Sequence, residues 1–266
     1  MKKLFLLASV LFLTASSAEA KRIVSQSPFI TYSLEYLGLS DSIVGVSRYD
    51  FLALPKTGGI IDPDSAAIAA LEPDIILTSN WTDPKTLRKV TPDGAKALVL
   101  YGFEGMKDIE KSLRVLTKEL DVPGGKAKAD AFPSAWRSEA RKVYGGGRRV
   151  LILSSCVGSP FSFGRRTYLF DLFTEAGFRV VEDHETIRHM NPSEPIKTIS
   201  ELVSRTRPEI VFVLHDADHG CAVNLDIPDV EVIELDGNHF VYPAPILLKG
   251  LKDLQDIFSA DNRKAS

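Results

Sequence analysis

Apolar residues in this chain come in short runs, each followed by a polar or glycine-containing stretch and then by a segment with helical spacing. Ile23-Val24-Ser25 leads into Ser27-Pro28, and Ile43-Val44-Gly45-Val46 into Ser47-Arg48-Tyr49. Residues 75–78 lead into Ser79-Asn80-Trp81, and residues 97–100 into Tyr101-Gly102-Phe103. Runs of this length bounded by turn residues predict short buried strands. Between them the spacing predicts helices over 30–37, 64–71, 84–90 and 106–120. Strand alternating with helix predicts parallel strands and an α/β layer fold.

The pattern then starts again. Strands are predicted at 149–154, 179–181, 210–214 and 230–235, and helices at 167–176, 198–205 and 245–258. The halves share one phrase in the same place, Leu71-Glu72-Pro73-Asp74-Ile75-Ile76-Leu77 and Thr206-Arg207-Pro208-Glu209-Ile210-Val211-Phe212. In each a proline stops a helix and a buried strand follows at once. Two α/β lobes are expected, spanning 21–122 and 148–266. A linking helix is expected within 123–147, because residues 126–144 stand between Pro123-Gly124-Gly125 and Gly145-Gly146-Gly147. At 1.5 Å per residue it would be about 28 Å long. Pro133 demands either a kink there or a helix that begins near it.

Composition narrows the setting. Lys2 and Lys3, the apolar run from Leu4 to Ala15 and Ala18-Glu19-Ala20 predict a cleaved export signal over residues 1–20. The run is shorter than the roughly 20 residues a membrane-spanning helix needs. No cysteine follows the expected cut, so a soluble, non-lipidated periplasmic protein is expected. The formal charge of −3 becomes −4 without that signal, which lacks the basic footprint of a nucleic-acid binder. Cys156 and Cys221 both follow predicted strands, and an oxidising compartment leaves them as a disulfide or as two buried thiols. There is no GxSxG elbow, no phosphate-binding loop and no GxGxxG between a strand and a helix, so no enzyme and no intrinsic cofactor are expected.

Several phrases carry a resemblance. Arg22-Ile-Val-Ser-Gln-Ser-Pro28, Thr31, Leu37-Gly38 and Ile43-Val-Gly-Val-Ser47 are followed by Leu54-Pro55-Lys56-Thr57-Gly58-Gly59 and by the 71–77 phrase. Arg207-Pro208-Glu209 and Pro245-Ile246-Leu247 continue it. In their order and spacing these motifs resemble the cobalamin, haem and ferric-siderophore receptors of bacterial ABC importers, the class whose lobes are joined by one long helix. The resemblance spans essentially the whole chain after residue 20. It implies a ligand cleft between two lobes with little hinge motion, a monomer, and a membrane permease with its ATPase as partners. It also implies one docking acid on each lobe. The first position falls near Ala66, with Asp64 the closest acid; the second falls near Val241, where no acid stands.

Ligands of open α/β sheets bind beyond the carboxyl ends of the strands. In the first lobe those loops carry Phe29, Tyr32, Tyr49, Trp81, Tyr101 and Phe103, a set suited to a large flat chelate such as a porphyrin, a corrin or a catecholate complex. In the second, Phe163 and Arg165 (or its neighbour Arg166) follow the first strand, the guanidinium being suited to an anionic chelate. His215, with Asp216, Asp218 and His219, follows a later strand, and His239 and Tyr242 follow the last. These last residues offer ligands to iron or cobalt, His239 and Tyr242 foremost. Two rival readings stand beside the chelate receptor: a bare-metal receptor using His215, His219 and His239, and a periplasmic sensor or scaffold with another membrane partner.

Overall fold

The computed structural model describes residues 21–154, 159–215, 225 and 229–258. Strands β1 (Ile23–Ser25), β2 (Ile43–Val46), β3 (Ile75–Ser79) and β4 (Lys96–Leu100) form a parallel sheet in the order β2-β1-β3-β4. Helices α1 (Pro28–Leu37), α2 (Ser65–Ala70) and α3 (Pro84–Val90) connect them. The period of two sorts the strand residues onto two faces. Val24 and Ile76 pack with Ile68 and Val90 of α2 and α3, whereas Ile23, Ile75 and Leu77 join the main core with α1. Local signals set the helix ends. Pro28 opens α1 and Gly38, at φ 85°, closes it; Asp64 and Asp83 each accept two amides at the starts of α2 and α3.

Helices α4 (Met106–Glu119) and α5 (Gly125–Ala140) follow. α5 packs on α1 and α4 on one side and on α6 (Tyr168–Glu175) and α8 (Leu247–Phe258) on the other, so it joins the two halves. Its buried stripe of Ala129, Phe132, Trp136 and Ala140 keeps helical spacing and belongs to a core that runs continuously through both sheets. Within that core Glu110 of α4 accepts the Trp136 indole N–H at 3.0 Å and lies 3.1 Å from Arg137, which partners its buried carboxylate. The expected 126–144 helix is shorter than its sequence suggested. It ends at Ala140, after which Tyr144 N–H turns to donate to Phe258 O at 3.1 Å. It also begins eight residues before Pro133 and runs through it, at about 24 Å in length.

The second sheet is mixed. β5 (Arg149–Ser154), β9 (Ile210–His215) and β10 (Glu231–Asp236) run parallel, and β7 (Arg179–Val180) pairs in parallel with the start of β5. β6 (Phe161–Phe163) pairs antiparallel with the end of β5, and β8 (Ile187–His189) pairs antiparallel with β6 at the sheet edge. Both fall in stretches read from sequence as loops, because three residues are too few to display a period. α7 (Ile199–Thr206) and α6 start at Thr198 and Thr167, whose hydroxyls accept amide hydrogen bonds. Among the described residues no helix is long and apolar enough to cross a membrane.

Candidate functional site

In the first sheet β1 and β3 are neighbours, and the connections from β1 to β2 and from β3 to β4 run in opposite directions along the sheet. A crevice opens at such a switch point beyond the strand ends. Among the described residues, five of the seven exposed large hydrophobic side chains stand in the segments that follow β2, β3 and β4: Tyr49 (61%), Phe51 (47%), Ile61 (75%), Trp81 (51%) and Tyr101 (46%). A concentration of exposed rings on one face marks a binding surface more than scattered ones do.

The loops that present these rings are braced. Thr57 N–H donates to Val46 O and Arg48 N–H to Gly58 O, at 2.9 and 2.7 Å. Gly58 has φ +85°, and a Cβ there would lie 2.5 Å from the Asp64 nitrogen, so only glycine fits. Lys56 donates to the Asp50 and Leu52 carbonyls at 2.8 Å each, and Thr31 donates to Asp50 at 2.6 Å. Thr82 Oγ1 donates to Ile60 O at 2.7 Å, tying the Trp81 turn to the same loop.

Two ring clusters result. Trp81 stacks on Phe103 with centroids 4.4 Å apart and planes at 23°, and Phe103 meets Phe29 and Tyr168 edge-on at 5.6 and 6.3 Å. Tyr168 continues to Phe163 at 6.2 Å. The second cluster stacks Tyr32 on Phe51 at 4.3 Å, with Tyr242 of the other lobe 5.5 Å from Tyr32. Both clusters therefore cross from one half of the molecule to the other. The halves also touch where Asp171 accepts the Met106 amide at 2.9 Å and where Arg166 faces Glu104 at 3.7 Å. Gly102 lies so close to Pro243 that a Cβ would sit 3.1 Å from its ring.

The remaining expected residues separate by position. Phe29 and Phe163 are 2% and 3% exposed, so they support the ring clusters from beneath and offer no face to a ligand. Tyr49 stands apart beside Arg48, and Tyr101 lines a side groove of about 520 Å³ between α3 and β4. Arg165 points away from the cleft into a groove on the flank of the second sheet, and it is Arg166 that faces the other lobe. His215 ends β9 half-buried, paired in register with Asp236. His239 has Nδ1 2.7 Å from Asp253 and Nε2 3.8 Å from Asp236. Asp64 caps its own helix through Oδ1. His219, Cys156 and Cys221, with Asp216 and Asp218, lie outside the described residues. Among the described residues no three His, Cys, Asp or Glu side chains are grouped to hold a metal ion. Sequence reading missed Phe51, two residues beyond Tyr49 in the same loop, and Tyr168, hidden inside a helical pattern that looked like core.

Electrostatics set the cleft apart as well. Burial raises the Asp50 carboxyl above its usual range, against the lowering pull of Thr31, nearby amides and Lys56. Burial, then the Asp50 charge, raises Glu35 despite Lys249. Burial pushes the Tyr168 phenol well above its normal value, and the neighbouring Tyr242 adds to this; its hydroxyl donates to Phe240 O at 2.8 Å. The site is thus a set of aromatic rings at the strand ends, braced by hydrogen bonds from Thr31, Lys56 and Thr82.

No protein-family model matches the chain, and no curated protein matches it in sequence. Solved structures do match in shape. The periplasmic heme-binding protein RhuT from Roseiflexus sp. RS-1 aligns with a TM-score of 0.70 at 20% identity, over 89% of this chain and 97% of that one. A periplasmic heme-binding protein from Pseudomonas aeruginosa aligns at 0.69 and 19% identity, over 90% and 92%. The periplasmic vitamin B12 binding protein BtuF of Vibrio cholerae aligns at 0.68 and 18% identity, over 89% and 96%. The fold is that of the two-lobed periplasmic binding proteins whose lobes are joined by a helix.

Proposed function

We propose that this protein is a non-enzymatic periplasmic receptor that captures a planar metal chelate of the porphyrin or corrin class between its lobes and hands it to an ABC permease. The observation that carries the reading is the band of exposed rings at the strand ends of the first lobe, with Trp81 stacked on Phe103 and Tyr32 on Phe51. A flat apolar ligand covers such rings, each good stacking contact contributing about 0.5–1.5 kcal/mol beyond buried area. The neighbouring folds that bind heme and vitamin B12 support the same ligand class.

His239 and Tyr242 are the candidate ligands to the metal. A carboxylate on one imidazole nitrogen fixes the ring and raises the basicity of the other, and Asp253 stands in that position at His239. The test is titration of the protein with hemin, cyanocobalamin and a ferric catecholate, followed by absorption and Trp fluorescence. The expected result is micromolar or tighter binding of one chelate, about −8 kcal/mol. At 100 times the Kd it raises folding stability by about 2.7 kcal/mol. A His239→Ala or Tyr242→Phe variant then shifts the metal-ligand bands. Indifference to all three chelates, with binding of bare Zn²⁺ or Mn²⁺ instead, sinks the proposal in favour of a metal receptor.

A further inference from the structure

On the flank of the second sheet, at the start of β5, lies a groove of about 320 Å³ lined by Arg149, Arg165, Arg179 and Arg205 with Glu182 and Asp183. The cleft lies beyond the opposite end of β5, roughly 16 Å away at 3.3 Å per residue. The groove is therefore separate from the ring clusters.

The groove carries more positive charge than its own carboxylates answer. Glu182, fully buried, is taken by Arg188 at 2.9 Å and by the Ser162 hydroxyl. Asp183 accepts from Arg188 at 2.6 Å and from Arg205 at 2.7 Å. Burial alone would raise the Asp183 carboxyl, yet Arg205, Arg188 and Arg165 together hold it below its usual range. Both acids are thus spent on Arg188 and Arg205.

Three guanidiniums remain. Arg149 gives its donors to the Thr206 and Arg207 carbonyls at the end of α7, which are neutral groups. Arg165 and Arg179 make no side-chain hydrogen bond or ion pair among the described residues. Arg149 and Arg179 are moreover register partners on the paired strands β5 and β7, so they project on the same side of the sheet. Like charges side by side on paired strands repel each other. In a chain of net charge −3, that arrangement concentrates cations that the acids of the groove answer only in part.

We propose that this groove binds an oxyanion of the phosphate class, gripped by Arg165 and Arg179 with Arg149 as the third cation. Guanidinium forks match tetrahedral oxyanions with paired hydrogen bonds, and a dianion answers several cations at once. The volume sits at the lower end of ligand pockets and leaves room for the group that carries the phosphate. A free phosphate and a phospholipid headgroup share this chemistry. The inference does not depend on what the cleft binds.

The test is calorimetric titration of the full chain with inorganic phosphate at low ionic strength. Alongside it runs cosedimentation with phosphatidylcholine vesicles, with and without phosphatidic acid. Saturable binding to either probe is expected, weakened about tenfold or more in the Arg165→Gln/Arg179→Gln variant. Both side chains are exposed and make no hydrogen bond or ion pair among the described residues, so that variant keeps its fold and a cooperative melt. Preference for phosphate or for acidic vesicles tells the two sources apart. Binding to neither probe, equal binding in wild type and variant, or equal affinity for succinate overturns the proposal.

Discussion

Two regions built largely from the same kinds of residue do opposite things. Along α5 the rings of Phe132 and Trp136 are buried at 0% and 3% exposure between the two halves. At the strand ends of the first sheet, Tyr49, Phe51, Trp81 and Tyr101 are all about half exposed or more. The first region spends its apolar area on holding the lobes together. The second keeps it in reserve, held still by hydrogen bonds from Lys56, Thr57 and Thr82. An aromatic residue that is costly to expose is tolerated where another molecule covers it. On the proposed function, the contrast assigns rigidity and recognition to different rings.

Mutation can break this division, and the largest effect belongs to the joint. Phe132→Ala is expected to cost about 3–5 kcal/mol by opening a cavity in the shared core. It should appear as a large fall in denaturation midpoint, while folded molecules keep their chelate affinity. A loss of affinity with little loss of stability would show that the joint belongs to the binding surface. At the rim the balance shifts. Trp81→Ala should cost about 1–2 kcal/mol of stability through its lost stack on Phe103, well below the cost at Phe132, and weaken chelate binding about tenfold, or about 1.4 kcal/mol, in a direct titration.

Smaller still is the charge contact across the cleft. Arg166 and Glu104 stand 3.7 Å apart with 63% and 59% of their side chains exposed. An exposed pair of this kind is worth under about 1 kcal/mol. A double-mutant cycle with Arg166→Gln and Glu104→Gln should therefore give a coupling near zero. A coupling well above that figure would mean the lobes lean on the cleft contact and not only on α5.

Much of this arrangement was legible in the sequence, for reasons that differ by residue. α3 reads correctly at both ends because Asp83-Pro84 supplies a cap and a fixed φ at the start and Thr91-Pro92 stops it. β6 and β8 were not legible, since three-residue strands show no period, and they form only by pairing, β6 on β5 and β8 on β6. The strand-end rule located Trp81 and Phe103 but could not say which rings turn inward. Phe29, just inside a helix begun by Pro28, falls on the core face, and Phe163 lies in a strand and not in a loop. Arg165 and Arg166 are adjacent in sequence, yet one lines the flank groove and the other faces Glu104. Sequence offers no sign of that split. The 126–144 helix was overextended because Arg141 to Tyr144 keep an ordinary helical composition while the chain turns back toward Phe258.

A further effect tests where the two regions meet, at the first turn of α4. Asp108 sits there beside Glu104 and near Asp171, the residue of the second lobe that accepts the Met106 amide. Burial raises its carboxyl, the Glu104 charge raises it further, Lys111 opposes this and Asp171 adds to it. A carboxyl raised on folding stabilises the protein below its unfolded pKa, near 3.9, and that contribution is lost as pH rises through the folded value. At neutral pH the ionised Asp108 is therefore a cost, even at a helix start that ordinarily favours an acid. Asp108→Asn removes the charge with little change of shape. Thermal melts should show a gain of about 2 °C at pH 7 that vanishes near pH 3.5, where wild type is itself protonated. An equal gain at both pH values would mean that the residue acts through packing. It would also mean that the acids around α4 do not repel one another across the lobe contact.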